Sequence, residues 1–337
     1  MYKIMTPGPT QVRENVRMAR SLACTNPDLD PAFYDYYKET CELISELLET
    51  KNTAYILDGE GILGLEAACA SLTEPGDKVL VVDNGIYGKG FADFVTMYGG
   101  QVTFYESTYT QAVDVKEFRA FLEEHHDFKY ATLVHCDTPS GVLNPVEELS
   151  RALHEYGIMT IVDSVSAMMG EPLRVDEGQI DIVCGGSQKA VSAPPGLTFV
   201  TVSDAAMKAM EERRTPIASF YANILVFKDY YKNLWFPYTM PISDIYGLRT
   251  ALENVKADPE WRDFWRSAYE SVQAGYHQNK EHWNTIILNG TVPDKDIKRM
   301  ISESYDLVTY SPTKKIYEAV KQIPKGCVAT YGQVAEM

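Results

Sequence analysis

The first two-thirds of the chain alternates short apolar runs with amphipathic runs of helical period, and this alternation constrains the fold most. Short apolar runs bounded by turn residues are typical of buried strands. Strands separated by helices predict βαβ units, and hence an α/β fold with a mostly parallel sheet flanked by helices. The predicted strands are 78–82, 101–105, 130–136, 158–162, 180–184 and 197–202. The predicted helices are 33–48, 63–72, 90–98, 115–125 and 145–156.

Length and composition narrow the class of protein. The 337 residues suffice for two domains or for one large α/β domain with additions. Apolar residues make up 45% and charged residues 23% of the chain, which is ordinary for a globular enzyme. The net charge of −16 argues against nucleic acid as a partner, because binding to phosphates needs clustered Lys and Arg.

The cysteines and apolar runs bear on location and metal binding. None of the six cysteines forms a C-x-x-C pair, which argues against zinc or disulfides and favours a reducing, cytoplasmic location. No H-E-x-x-H or similar spacing indicates a metal site. No apolar run approaches the roughly 20 residues of a membrane helix, so a membrane partner is not expected.

Two reactive side chains follow successive predicted strands. Asp163 comes directly after the strand 158–162, and Lys189 follows the strand 180–184 and a Gly-Gly pair. Ligands of parallel sheets bind at the carboxyl ends of strands. Pyridoxal phosphate needs this pair, because a lysine forms a Schiff base with its aldehyde and a carboxylate keeps its pyridine nitrogen protonated. Each residue alone has an ordinary structural explanation, but the two together favour a pyridoxal phosphate site.

The motifs around this pair extend the pattern. Over about residues 1–255 the chain resembles the class V, fold-type I aminotransferases, close to the alanine–glyoxylate, serine–pyruvate and aminoethylphosphonate transaminases. The matching segments are Pro-Gly-Pro-Thr (7–10), Gly-Glu-Gly (59–61), Asn-Gly-Ile-Tyr-Gly (84–88), Ser-Gly-Val (140–142), Val-Asp-Ser-Val-Ser (162–166), Gly-Ser-Gln-Lys (186–189) and Ala-Pro-Pro-Gly (193–196).

The resemblance implies roles for the residues around the ring of the cofactor. Lys189 would hold the cofactor and then act as the base in the proton shift, which requires an amine pKa below about 10.4. Asp163 would pair with the pyridine nitrogen. Val165 and Tyr87 would pack on opposite faces of the ring, and Thr138 would hydrogen-bond the ring hydroxyl.

The resemblance also implies how the phosphate is held. Gln188 and the backbone amides of Gly61 and Ile62 would bind it, with the dipole of the following helix. Thr239 resembles a threonine that reaches the phosphate of a partner subunit. A homodimer with a shared active site is therefore expected.

The substrate side of the site is less complete. Pro7 and Gly8, in an N-terminal arm of residues 1–15, would border the substrate. The phosphate turn departs from the family, because Glu60 and Ile62 stand where hydroxyl residues are common. A glutamate beside a phosphate is unfavourable unless it turns away or meets a cation, so Glu60 is expected to cap the helix or to face the substrate.

The predicted large domain, residues 16–255, is followed by a different kind of sequence. Residues 256–310 resemble a fragment of the MmcQ/YjbR family, and residues 311–337 resemble the start of the DNA-binding domain of alkylguanine-DNA alkyltransferases. The usual small C-terminal domain and its carboxylate-binding arginine are not recognisable in this stretch.

Three functions stay open at this point. The leading interpretation is a transaminase that moves an amino group between a small amino acid, such as alanine, serine or aminoethylphosphonate, and a 2-oxo acid. The same lysine and aspartate would also serve a lyase or a decarboxylase. The third interpretation is a catalytically impaired fusion with a DNA-associated tail.

Overall fold

A computed structural model of the protein describes residues 4–257 and the short stretches 272–274, 284–286, 292–294, 297–298 and 300–301. The two resemblances proposed for the tail lie mostly or wholly outside the described residues.

Helices separate most of the strands from Thr53 to Gly186, as predicted, whereas the strands Ile182–Gly186 and Leu197–Val202 follow each other without a helix. The strands are β1 Thr53–Asp58, β2 Lys78–Asp83, β3 Gln101–Glu106, β4 Tyr130–Val134, β5 Cys136–Asp137, β6 Val142–Leu143, β7 Met159–Asp163, β8 Ile182–Gly186, β9 Leu197–Val202, β10 Val272–Ala274 and β11 Asn284–Ile286. The helices are α1 Glu14–Ala19, α2 Pro31–Leu47, α3 Gly61–Leu72, α4 Ile86–Met97, α5 Val115–Glu124, α6 Val146–His154, α7 Val175–Gly178, α8 Asp204–Glu211, α9 Tyr230–Asn233 and α10 Ile242–Ala257, with a 3-10 turn at Ile224–Phe227.

Seven strands form one sheet in the order β1-β9-β8-β7-β4-β2-β3. The pairs from β8 through β3 are parallel, whereas β9 runs antiparallel to both of its neighbours. Six strands therefore share one direction, and the predicted mostly parallel α/β fold is confirmed. Every residue of β4, β8 and β9 is buried, which explains why these strands are predominantly apolar and carry no charged residue.

Local signals in the sequence explain where the helices begin. The Asp114 carboxylate accepts hydrogen bonds from the backbone amides of Lys116 and Glu117 and so caps α5, whose Phe118 and Leu122 are buried. α4 begins at Ile86, four residues before the predicted start, directly after Gly85. α3 begins at Gly61 because Glu60 caps it. These starts place the N-termini of α3 and α4 next to the ends of β1 and β2.

The shared strand direction determines where a site can form. The carboxyl ends of β1, β2, β4, β7 and β8 lie at one edge of the sheet. Every residue expected to touch the ring of the cofactor follows one of these five ends in the sequence. The topology therefore brings the candidate residues to one place.

Candidate active site

Lys189 lies in the loop that connects β8 to β9. Backbone hydrogen bonds and the Ser187 hydroxyl link the two ends of this loop. The amide of Ser187 donates to the Leu197 carbonyl at 3.1 Å, and its hydroxyl donates to the Pro194 carbonyl at 2.6 Å. The amide of Ala193 donates back to the Ser187 carbonyl at 2.9 Å. The lysine is therefore presented from a braced loop at the carboxyl edge of the sheet.

The Lys189 amine is half-buried and has a hydroxyl partner. Its Nζ donates to the Thr138 hydroxyl at 3.3 Å. Burial lowers the pKa of the Lys189 amine, and the carboxylates of Asp163 and Glu60 oppose this shift. An amine with a lowered pKa is a better nucleophile and base near neutral pH.

Asp163 ends the central strand β7 and is 6% exposed. One of its carboxylate oxygens accepts a hydrogen bond from the Val165 amide at 2.9 Å. Burial raises the pKa of the Asp163 carboxyl to about 7, against the effects of the Val165 amide and the Lys189 amine. A buried carboxylate is costly unless a cation pairs with it, and a protonated pyridine nitrogen is a suitable cation.

A cavity of about 120 Å³ joins these two groups. Three of the residues expected to hold the ring of the cofactor, Tyr87, Thr138 and Val165, also line it. The full lining is Glu60, Ile62, Leu65, Tyr87, Cys136, Thr138, Asp163, Val165, Ser166 and Lys189. A half-buried amine, a buried carboxylate, an aromatic ring and a hydroxyl around one cavity fit a pyridoxal ring.

The N-terminus of α3 forms part of the wall of this cavity, through Glu60 and Ile62. Gly61 packs on Val165, because a methyl group added at Gly61 would lie 2.9 Å from both methyl carbons of that side chain. The Glu60 carboxylate accepts hydrogen bonds from the Ile62 amide at 3.0 Å and from the Gln188 side-chain amide. Two of the three phosphate donors expected here, the Ile62 amide and the Gln188 side-chain amide, thus bind Glu60. The expectation that Glu60 caps the helix is confirmed.

The N-terminal arm contacts the lysine directly. A methyl group added at Gly8 would lie 2.2 Å from Cδ of Lys189. The Thr10 amide donates to the Gln188 carbonyl at 3.0 Å, and its hydroxyl donates to the Lys189 carbonyl at 3.0 Å. The arm segment that holds Pro7 and Gly8 therefore lies beside the amine.

Gly8→Ala is expected to displace the Lys189 amine and to lower turnover by about ten- to a hundredfold, because reacting groups tolerate little misplacement. The melting temperature should change little, since a lysine side chain can move aside. Steady-state kinetics and thermal unfolding measure both effects. The control is Gly90→Ala in α4, where an added methyl group meets nothing within 4 Å. An unchanged turnover in Gly8→Ala would contradict the close packing of the arm.

Thr239 lies apart from the cavity. Its side chain is exposed, its hydroxyl donates to the Asp28 carboxylate at 3.2 Å, and it is not part of the cavity lining. The structure therefore does not bring Thr239 together with Lys189 in one chain. Its contact with the phosphate of a partner subunit stays a prediction.

The structure adds residues that the sequence reasoning did not single out. Ser166, Cys136 and Leu65 line the cavity. Asp137 shapes the loop under Tyr87, because its carboxylate accepts hydrogen bonds from the Ser140 amide and hydroxyl at 3.1 and 2.7 Å. The position of Asp137, directly before Thr138 at a strand end, was the available signal.

The described residues contain neither a grouping of metal ligands nor a helix suited to a membrane. Within residues 4–257 and the short later stretches, no three His, Cys, Asp or Glu side chains are grouped so as to hold a metal ion. Among the helices in those same ranges, none is both long and apolar enough to cross a bilayer.

Known proteins resemble most of this chain in sequence. The sequence profile of the Aminotransferase class-V family matches residues 19–317. An uncharacterized aminotransferase of Methanocaldococcus jannaschii is 32% identical over 256 residues, which are 75% of this chain and 65% of that protein. The pyridoxamine–pyruvate transaminase of Mesorhizobium japonicum is 36% identical over 231 residues, which are 67% of this chain and 58% of that protein.

A solved structure extends the match to the fold. The ureidoglycine–glyoxylate aminotransferase of Bacillus subtilis superimposes with a TM-score of 0.76 at 25% identity, covering 93% of this chain and 85% of that one. The chain spans less than two thirds of the length of the two curated relatives above. Class V aminotransferases have the fold-type I architecture and depend on pyridoxal phosphate. On the extent of the profile match, this chain belongs to the class V aminotransferase family.

Proposed function

We propose that this chain is a pyridoxal phosphate-dependent transaminase that moves an amino group between a small amino acid and a 2-oxo acid. The observation that carries the proposal is the placement of the Lys189 amine and the buried Asp163 carboxylate on one cavity. The relatives named aminotransferases support the same reaction.

Lys189 has two tasks in this proposal. When bound, the cofactor supplies an aldehyde that takes up the amino group and a ring that withdraws electrons from the reacting carbon. The Lys189 amine would hold that aldehyde covalently, and as a free amine it would act as the base that moves the proton. The lowered pKa of the Lys189 amine suits both tasks. The Thr138 hydroxyl accepts a hydrogen bond from Nζ and so orients the amine.

Asp163 stabilises positive charge at the ring nitrogen. Its pKa of about 7 belongs to a buried carboxyl that lacks a full cationic partner. A cation at hydrogen-bond distance lowers the pKa of a carboxyl, so a protonated ring nitrogen would hold Asp163 ionised. The Val165 amide fixes the carboxylate from the other side.

The remaining site residues would position the ring and the substrate. Tyr87 and Val165 would pack on the two faces of the ring, and Thr138 would bind its hydroxyl. Gly8 and Pro7 would border the substrate, supported by the contact of Gly8 with the Lys189 side chain. The division into an arm (1–15), a large domain (16–255) and two tail segments (256–310 and 311–337) is part of the same proposal, as is a cytoplasmic location.

The test is a half-reaction on the purified full chain loaded with pyridoxal phosphate. Adding alanine, serine or aminoethylphosphonate should convert the absorbance of the lysine-bound cofactor into that of pyridoxamine phosphate, and a 2-oxo acid should reverse the change. A lyase or decarboxylase would instead release other products without accumulating the amine form. Absence of any absorbance change on loading the protein with cofactor would sink the proposal.

The proposed partner is a second copy of this chain, through which Thr239 would reach the neighbouring site. Exposed large apolar side chains near it in the sequence support an interface in this region, including Phe220 (59% exposed), Leu234 (49%) and Trp235 (49%). Thr239→Val should weaken the binding of pyridoxal phosphate several-fold in a protein that sediments as a dimer. A monomeric chain with unchanged affinity in this variant would count against the shared site.

A further inference from the structure

Glu60 already binds two of the three donor groups that would hold a phosphate at its end of the cavity, the Ile62 amide and the Gln188 side-chain amide. One oxygen of its carboxylate accepts from the Ile62 amide at 3.0 Å, and the other accepts from the side-chain amide of Gln188. Gln188 is 4% exposed, and its own Oε1 is enclosed without a hydrogen-bond partner among the described residues. Gln188 is therefore held in place, with its amide facing Glu60.

The acidic groups of this cavity are also unfavourable for binding a phosphate. Among the ten residues that line it, two carry carboxyl groups, Glu60 and Asp163, and Lys189 carries the single amine. A phosphate monoester has a charge of about −1.5 to −2 at pH 7. It would meet the Glu60 carboxylate at the helix N-terminus, where like charges repel in a partly desolvated setting. An uncharged hydroxyl has no such conflict.

A hydroxymethyl group suits the geometry around Glu60. An ionised carboxylate is purely a hydrogen-bond acceptor, and each of its oxygens has more than one lone-pair site. Among the described residues, the Ile62 amide binds one Glu60 oxygen and the Gln188 side-chain amide binds the other, so each oxygen can accept a second bond. A hydroxyl can donate that bond, whereas a phosphate dianion has no proton to donate.

We propose that Glu60 makes this end of the cavity a site for an uncharged hydroxymethyl group, so that the chain binds pyridoxal and pyridoxamine, without phosphate, at least as tightly as their 5′-phosphates. The inference rests on the proposed function, because it concerns the same ring site between Lys189 and Asp163. It adds the chemical class of vitamer that the site selects and names Glu60 as the residue that determines this specificity.

The test uses ligands that cannot react with the lysine. Pyridoxamine and pyridoxamine 5′-phosphate lack the aldehyde, so calorimetric titration of the cofactor-free full chain reports the ring and its 5′ end alone. Wild type should bind pyridoxamine at least as tightly as its phosphate. Glu60→Gln keeps the size and acceptor of the side chain but removes its charge, and it should shift the ratio of the two dissociation constants at least about tenfold toward the phosphate.

A second charge on the same helix provides the control. Glu66 lies in α3 and accepts a hydrogen bond from the Tyr98 hydroxyl at 2.6 Å, away from the cavity lining. Glu66→Gln should leave the ratio of the two dissociation constants within about twofold of wild type. Thermal unfolding of both variants checks that the fold is retained.

The outcomes separate this inference from the proposed function. If wild type binds the phosphate more tightly than pyridoxamine, or if Glu60→Gln leaves the ratio unchanged, the inference is overturned while transamination stands. If neither amine binds and neither pyridoxal nor its phosphate produces a lysine-dependent absorbance, both proposals fail together.

Discussion

Lys189→Ala is expected to lower kcat/KM for transamination by at least about 10⁴-fold. The variant loses both the group that binds the cofactor aldehyde and the base that moves the proton, and a positioned general base alone contributes about 10²–10⁴-fold. The Lys189 amine is half-buried beside the Thr138 hydroxyl, and it is the single amine among the ten residues of the cavity lining. Single-turnover kinetics and the absorbance of the loaded protein measure the loss.

Two further variants make this result specific. Lys189→Arg keeps the positive charge but cannot lose its proton near neutral pH, so it should be as inactive as the alanine variant. Lys208→Ala, on the exposed side of α8, removes a lysine outside the site and should leave activity unchanged. Retention of more than about 1% of the activity in Lys189→Ala would assign the base to another residue.

Asp163→Asn is expected to have opposite effects on activity and on stability. Activity should fall about 10²–10³-fold, as when one preorganised electrostatic contact to the reacting group is removed. The Val165 amide can still donate to the asparagine oxygen, so the local fold should persist. Kinetics at saturating cofactor measure the loss, and recovery of full activity in this variant would refute the role of Asp163 at the ring nitrogen.

The stability effect follows from the raised pKa of Asp163. The pKa of this carboxyl is about 7 in the folded chain against an ordinary 3.8, so the folded state binds its proton more tightly than the unfolded state. The stabilisation from that proton is fully present below pH 3.8 and is lost as the pH rises through 7. Three units correspond to about 4 kcal/mol, because one unit is worth about 1.4 kcal/mol.

An asparagine side chain carries no charge at any pH, so Asp163→Asn does not lose stability as the pH rises through 7. The cofactor-free Asp163→Asn protein should therefore melt at a higher temperature than wild type at pH 8, with the difference shrinking toward pH 4. Asp93→Asn, at an exposed position of α4, is the matched control and should show no such trend. If the difference in melting temperature between Asp163→Asn and wild type did not depend on pH, burial would not be raising the pKa of the Asp163 carboxyl.

Much of the sheet could be predicted from the sequence because its central strands are buried on both faces. Such strands need continuous apolar residues, as in β4 and β8, and the pattern is local. β1 was not predicted, although it too is mostly buried. Its place in the sheet comes from antiparallel pairing with β9, in which Thr53 faces Val202, and no local pattern encodes a partner so distant in sequence.

Part of the candidate site could likewise be predicted from the sequence, and part could not. Lys189 and Asp163 were predictable because each follows a strand, and parallel strands end at one edge. The use of Glu60 could not be predicted, because its contact with Gln188 joins side chains 128 positions apart. The sequence indicated that a glutamate conflicts with a phosphate, but the structure was needed to place the Ile62 amide and the Gln188 side-chain amide on its carboxylate.

Lys189 is held by the adjacent strands β8 and β9 and by the N-terminal arm, and these two contacts close chain segments of very different length. This difference affects the order of folding. The strands around Lys189, β8 and β9, pair over short separations, such as Gly186 with Thr198. The Thr10 hydroxyl reaches the Lys189 carbonyl across 179 positions. Contacts across long separations cost more loop-closure entropy. During refolding we therefore expect the secondary structure to recover first and cofactor binding to lag behind it, until the arm has docked.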